Sequence, residues 1–286
     1  MSASALKIVE CPRDAMQGFA RPIPTQEKID YLNQLLRVGF HTLDFGSFVS
    51  PKAVPQMADT AEVLAGLDLS NTDTQLLAIV ANERGAREAV QHEAIRYLGY
   101  PFSLSETFQQ RNTRRSMAES VVLVAQMQEL CAQAGKELVV YLSMAFGNPY
   151  GDPWEPSIAE EWLEKMAGQG IGIIALADTV GRAETDTIRH MFEALLPRFP
   201  QVEIGAHFHA KPGEREDRLA AAYDAGCRRF DVAMQGFGGC PFAKDDLTGN
   251  IATESLFSFC QKRSLATDLD SAAFQQASQT ALRVFA

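Results

Sequence analysis

"IGIIALADTVGRAETDTIRHMFEALLPRFPQVEIGAHFHA", residues 171–210, contains one full cycle of the chain's rhythm. An apolar run, IGIIALAD (171–178), stops at a break. Helical periodicity follows over 184–199, and a second apolar run, VEIGAHFHA (202–210), starts the cycle again. Runs this apolar are what a strand needs when core fills one side and helices cover the other. A strand, a helix and a second strand in that order make a parallel pair with a helical crossover.

The same cycle recurs outward in both directions. Upstream, LKIVEC (6–11) precedes a helix over 25–39, whose Ile29, Leu32, Leu35 and Leu36 form one stripe and whose stop is Gly39. FHTLDFGSF (40–48) precedes a helix over 59–67, TQLLAIVA (74–81) one over 82–94, and IRYLGYPFS (95–103) one over 115–135. KELVVYLSMAF (136–146) precedes a helix over 157–170. Downstream, 202–210 leads to a helix over 215–226, and RRFDVAMQGF (228–237) to one over 253–264. No linker or shift in composition divides the chain. Eight units at this length predict an α/β fold, a single (β/α)8 (TIM) barrel over residues 1–286, with one or two extra helices from Thr267.

In such a barrel the strands' C-terminal ends carry the chemistry. Here they meet polar residues: the first strand ends at Arg13 and Asp14, the second at Asp44 and Ser47, the sixth at Asp178 and Thr179. The seventh ends in His207 and His209. On a strand, residues i and i+2 share a face, so both imidazoles can reach one divalent ion at about 2.0–2.2 Å. Two ordinary hydrogen-bonded histidines are the competing account, and the Asp14 carboxylate favours the ion. Such a set, with open positions, suits Mg²⁺, Mn²⁺, Fe²⁺ or Co²⁺ more than a closed zinc site. Asp178 and Thr179 can equally cap the following helix. Cys240, in GFGGCPF (236–242), is either a small buried thiol or an acid–base group carried by a glycine-rich loop.

A formal charge of −10 argues against nucleic acid or an anionic membrane as partner, since both need a basic surface. The five cysteines lack CxxC spacing, which predicts a reduced, cytoplasmic protein. No apolar run approaches the about 18 residues of a membrane span, and MSASALKIVE (1–10) has no leader pattern.

Taken in order, the segments PRDAMQ (12–17), SFVSPKAVPQMAD (47–59), LSETFQQRN (104–112), NPYG (148–151), ADTVG (177–181), HFH (207–209), GFGGCPFA (236–243) and TGNIATE (248–254) resemble the 3-hydroxy-3-methylglutaryl-CoA lyase branch of the DRE-TIM metallolyases. The resemblance implies a divalent cation, Mg²⁺ or Mn²⁺, held by Asp14, His207, His209 and Asn250. It implies Arg13, Cys240 and the Asp44 carboxylate as the catalytic set, with Gln17, Ser47, Asp178 and Glu254 around the substrate. A homodimer also fits the family. The implied reaction is a retro-Claisen cleavage of a 3-hydroxy acyl-CoA to acetyl-CoA and a keto acid, in which the ion lowers the substrate hydroxyl's pKa. Arg13 would stabilise the enolate and Cys240 would protonate it.

Four departures surround the implied pocket. Asp44 stands where the lyases carry glutamate. AKPG (210–213) replaces an Asp-Thr-x-Gly pattern, the Cys240–Asn250 interval is one residue longer, and SMAFGNPYG (143–151) lacks the usual cysteines. A related hydroxy-acid substrate, a pyruvate-linked aldolase, a Claisen-type condensing enzyme and a non-catalytic metal-binding barrel stay open on these residues.

Overall fold

A computed structural model describes residues 6–239 and 248–286. Eight strands close into a barrel in chain order: β1 Lys7–Glu10, β2 Thr42–Ser47, β3 Gln75–Ile79, β4 Ile95–Ser103, β5 Glu137–Ser143, β6 Ile173–Asp178, β7 Glu203–Phe208 and β8 Arg229–Val232. Every neighbouring pair is parallel, and β8 closes on β1 with Asp231 opposite Val9. The (β/α)8 architecture expected from the alternation is the one formed.

The helices between the strands start where local chemistry supplies a partner for free N–H groups. Asn82 accepts from the Gly85 amide at the head of Glu83–Ala89. Ser116 and Glu119 form a reciprocal capping box at the head of Met117–Gln133. The helix Thr25–Leu36 ends three residues before Gly39, whose φ of +85° turns the chain toward β2. The tail forms one helix, Ser271–Val284, packed on Thr25–Leu36, with Phe285 set edge-on to Tyr31.

Two helices were not foreseen. Pro12–Gln17 opens with proline at its first turn, and Glu106–Thr113 is capped by Ser105. Both are too short to show a clear apolar period. The first moves Arg13 and Asp14 off the strand: β1 stops at Glu10, and these residues lie in the helix that follows. β8 likewise stops at Val232, and Met234–Gly236 is a 3₁₀ turn.

A large apolar layer fills the space between strands and helices. Inside the barrel, Leu77, Ile79, Tyr97, Val139, Tyr141, Ile173 and Ala175 pack the β3–β6 half. The opposite half carries buried polar side chains: Asp44 on β2, His207 on β7, and Arg229 and Asp231 on β8. That asymmetry sets where the chemistry sits.

Candidate active site

The seventh strand delivers the two histidines. His207 is its penultimate residue, and His209 lies just past its end, bridged in antiparallel fashion to Asn250. The 248–252 segment is held to this strand end by the Ile251 N–H donating to the Phe208 carbonyl and the Ala210 N–H donating to the Gly249 carbonyl. Asn250 thereby reaches the histidines from across a long stretch of sequence. The imidazole centroids are 5.3 Å apart. Asp14, His207 and His209, all buried, offer ligand atoms that lie within 4.8 Å of one another.

The two rings are anchored in a way that bears on metal binding. His209 Nδ1 lies 2.9 Å from the Thr248 carbonyl, which can only accept, so Nδ1 carries the proton. His207 Nδ1 lies 3.2 Å from Asp231 Oδ2. With Nδ1 donating in both rings, each neutral imidazole keeps its lone pair on Nε2, the arrangement found in metal-ligating histidines. Together with a carboxylate, this donor set fits a divalent cation.

Electrostatics favour the ligating forms of Asp14 and His209, while His207 is drawn toward its protonated form. Burial raises the Asp14 carboxyl, but Arg13, His209, His207 and the Asn250 hydrogen bond outweigh it and hold it at about 2. Burial drives His209 down to about 4, so its ring is neutral at neutral pH. Burial also pushes His207 down, yet the hydrogen bond and charge of Asp231, with Asp14, lift it above the ordinary value.

Arg13 sits over this group. Its Nε donates to both oxygens of Asp44 at 3.2 and 3.0 Å, its Nη2 donates to Oδ2 at 2.5 Å, and its Nη1 donates to Asp14 Oδ1 at 3.1 Å. Burial lifts Asp44 to about 6, with the Arg13 charge and hydrogen bonds opposing it. The guanidinium resists the loss its own burial would cause, because Asp44 and Asp14 raise its pKa. Gln17 donates to Asp14 Oδ1 at 2.8 Å, and Asn250 Nδ2 donates to Asp14 Oδ2 at 2.7 Å and to the Phe237 carbonyl at 2.9 Å. Gly238 closes over the pair with φ +107°, where an added Cβ would stand 2.5 Å from Asn250 Nδ2. Only glycine fits there.

A cavity of about 430 Å³ opens on these groups. Arg13, Asp14, Gln17, Ser47, His207 and His209 line it, as does Thr179, named in the sequence at the sixth strand's end, and so do Asn82, Tyr141 and Ser143, which the sequence reading left out of the site. Asn82 follows the third strand and could have been found by the rule that found Thr179. Tyr141 could not, because apolar strands commonly carry a tyrosine. Lys52, Arg114 and Arg115 stand around the same cavity, with Val49, Val54 and Ile79 as apolar wall.

Three carboxylates are spent within the protein. Asp44 is fully buried behind Arg13. Asp178 does not line the cavity: its Oδ1 accepts from the Arg182 N–H at 2.8 Å, and its Oδ2 from the Ala183 N–H and Arg218 Nη1 at 2.8 and 2.7 Å. Glu254 holds Gln235 and Ser278 and also lies off the cavity wall. Cys240 lies outside the described residues.

The A. baumannii HMG-CoA lyase, solved with coenzyme A and 3-methylmalate, superposes with a TM-score of 0.92 at 33% identity, covering 100% of this chain and 92% of that one. The hydroxymethylglutaryl-CoA lyase of Bacillus subtilis is 33% identical over 90% of this chain and 85% of its own length. The Pseudomonas aeruginosa 3-hydroxy-3-isohexenylglutaryl-CoA/hydroxy-methylglutaryl-CoA lyase is 30% identical over 96% and 91%. The HMGL-like family matches residues 6–281, and the chain belongs to it.

Proposed function

We propose that this protein is a divalent-metal-dependent carbon–carbon lyase. Its substrate is a 3-hydroxy acyl-CoA, either 3-hydroxy-3-methylglutaryl-CoA or a close analogue, split by retro-Claisen cleavage into acetyl-CoA and a keto acid such as acetoacetate. The carrying observation is the pair of Nδ1-anchored imidazoles converging with Asp14 beneath Arg13 at the cavity floor.

Asp14, His207 and His209, joined by the amide oxygen of Asn250, would hold the cation. Their mix of carboxylate, amide and imidazole suits Mg²⁺ or Mn²⁺. A divalent ion there supplies Lewis acidity toward the substrate's hydroxyl and neighbouring oxygens. Asp14 as anion and His209 as neutral ring are the forms that ligate at neutral pH.

Arg13 faces the charge that develops as the C–C bond breaks. Four hydrogen bonds to Asp44 and Asp14 aim its fork, so little reorganisation is needed at the transition state. Gln17 and Ser47 contact the substrate from the wall, while Asp178 and Glu254 brace the loops around it. Cys240 returns a proton to the enolate carbon. Lys52, Arg114 and Arg115 make the mouth cationic in an acidic chain, which suits an anionic acyl-CoA.

The reading takes residues 1–286 as one catalytic domain, active as a homodimer in the cytoplasm. The buried free thiols Cys11, Cys131, Cys227 and Cys260 fit a reducing compartment. Among the described residues no helix is long and apolar enough to cross a membrane.

The test is incubation of purified protein with 3-hydroxy-3-methylglutaryl-CoA and saturating Mn²⁺, with acetyl-CoA and acetoacetate as the expected products. Release of neither would remove that substrate. Release of neither from any 3-hydroxy acyl-CoA would remove the lyase reading.

A further inference from the structure

Inside the barrel lies a cluster of buried polar groups, of which Asp231 and Arg229 do not line the cavity. Asp231, on β8, sits opposite His207 in the β7–β8 register. Its Oδ2 accepts the His207 Nδ1–H, while Oδ1 has no hydrogen-bond partner among the described residues. Three other buried polar atoms are left in the same condition nearby: the Tyr141 hydroxyl and the Nε and Nη2 of Arg229. Arg229 and Tyr141 both feel the Asp231 charge, so these orphans belong to one neighbourhood. Arg229 is only 1% exposed, and its remaining nitrogen is tied to Glu203 at 3.0 Å.

Unsatisfied donors and acceptors so deep in a barrel cost free energy unless something pairs them. Cys11, His207 and Asp231 also lie close enough to form a cation site, but Arg229 beside Asp231 disfavours a second cation. The Asp231 oxygen equally disfavours an anion. Water fits, because it can accept from Arg229 or Tyr141 while donating to Asp231 Oδ1. The Tyr141 ring stands edge-on to His207, with centroids 5.6 Å apart and planes at 78°, which restricts rotation of the imidazole.

We propose that Asp231 is the positioning residue for His207. Through Nδ1 it fixes the ring and tautomer that turn Nε2 to the cation, and ordered water shared with Tyr141 and Arg229 secures its second oxygen. Tyr141 thus lines the cavity while its hydroxyl stays buried. The metal-affinity arm of the test rests on the reading of His207 as a ligand. The tautomer arm does not.

With five histidines in the chain, long-range ¹H–¹⁵N spectra of the metal-free protein are tractable, and His207 is assigned by the signals lost in His207→Gln. In mildly alkaline solution wild-type His207 should carry its proton on Nδ1. Asp231→Asn should introduce the Nε2–H form, because an asparagine amide can donate where a carboxylate only accepts. The same variant should weaken Mn²⁺ binding, measured by electron paramagnetic resonance, about 10–100-fold. A crystal structure of the wild type should show water touching Asp231 Oδ1. An Nε2–H ring in the wild type, an unchanged tautomer in Asp231→Asn, or a dry contact at Asp231 Oδ1 overturns the inference. A wild type with Nδ1–H that binds no Mn²⁺ overturns the metal reading instead and leaves the Asp231–His207 assignment standing.

Discussion

At the residue scale, Arg13 is the side chain whose chemistry is least replaceable. It makes two bonds through Nε, one through each terminal nitrogen, and still faces the cavity. Lysine keeps the charge but cannot reproduce a planar fork. Arg13→Lys should therefore lower kcat about 10²-fold or more, with KM changed far less, as steady-state kinetics on protein of unchanged metal content would show. An equal fall in metal content would instead assign Arg13 a role in holding Asp14. Asp14, His207 and His209 were legible in the sequence because motif and strand spacing point to them. Their anchors were not. Asp231 and the Thr248 carbonyl lie 24 and 39 residues beyond the histidines they hold, and only barrel closure brings them together. The spent carboxylate of Glu254 was likewise invisible, and for Asp178 an internal capping role stood level with a substrate role, since a sequence shows a carboxylate but not whether its lone pairs are already taken.

At the scale of elements, the helix Arg215–Asp224 contributes Arg218, which pins three loops at once. Nη1 donates to Asp178 Oδ2 and to the His209 carbonyl, both at 2.7 Å, while Nη2 donates to the Gly181 carbonyl and to Glu214, both at 3.0 Å. Removing the guanidinium would strand a buried carboxylate and two carbonyls. Arg218→Met should destabilise the protein by about 3–5 kcal/mol in urea unfolding, the usual cost of breaking a buried pair on one side. A shift below 1 kcal/mol would mean the loops re-pair without it. The long elements were readable because unbroken apolar runs and an apolar period of 3.6 survive over many residues. Pro12–Gln17 was not, because six residues give no period, and so Arg13 and Asp14 were read as a strand end.

At the scale of the whole molecule, the barrel was legible through repetition: eight cycles leave little choice of topology. The division of its interior into an apolar and a polar half was less so, because strand patterns do not reveal which buried polar groups will meet. Glu10 shows the consequence for stability. Fully buried at the end of β1, it accepts from the Met234 N–H at 2.7 Å and the Thr253 hydroxyl at 2.6 Å, and burial raises its pKa to about 8. The folded state then binds more protons than the unfolded chain between the ordinary glutamate range and about 8. The contribution of Glu10 is complete below that window and is lost as pH rises through it. Urea midpoints should fall across this range, and Glu10→Gln should flatten the decline. A parallel slope in the variant would place the pH dependence elsewhere.

The antiparallel bridge between His209 and Asn250 has a bearing on biosynthesis. A growing polypeptide makes Asp14 236 residues before Asn250, so the other donors wait until most of the barrel has been made. The Thr248 carbonyl that orients His209 is laid down after both histidines, two residues ahead of Asn250. Until that return segment docks, a nascent chain holds only a lone acidic group and loosely aimed rings. For the cation proposed above, capture by the full donor set would then require the docked return segment.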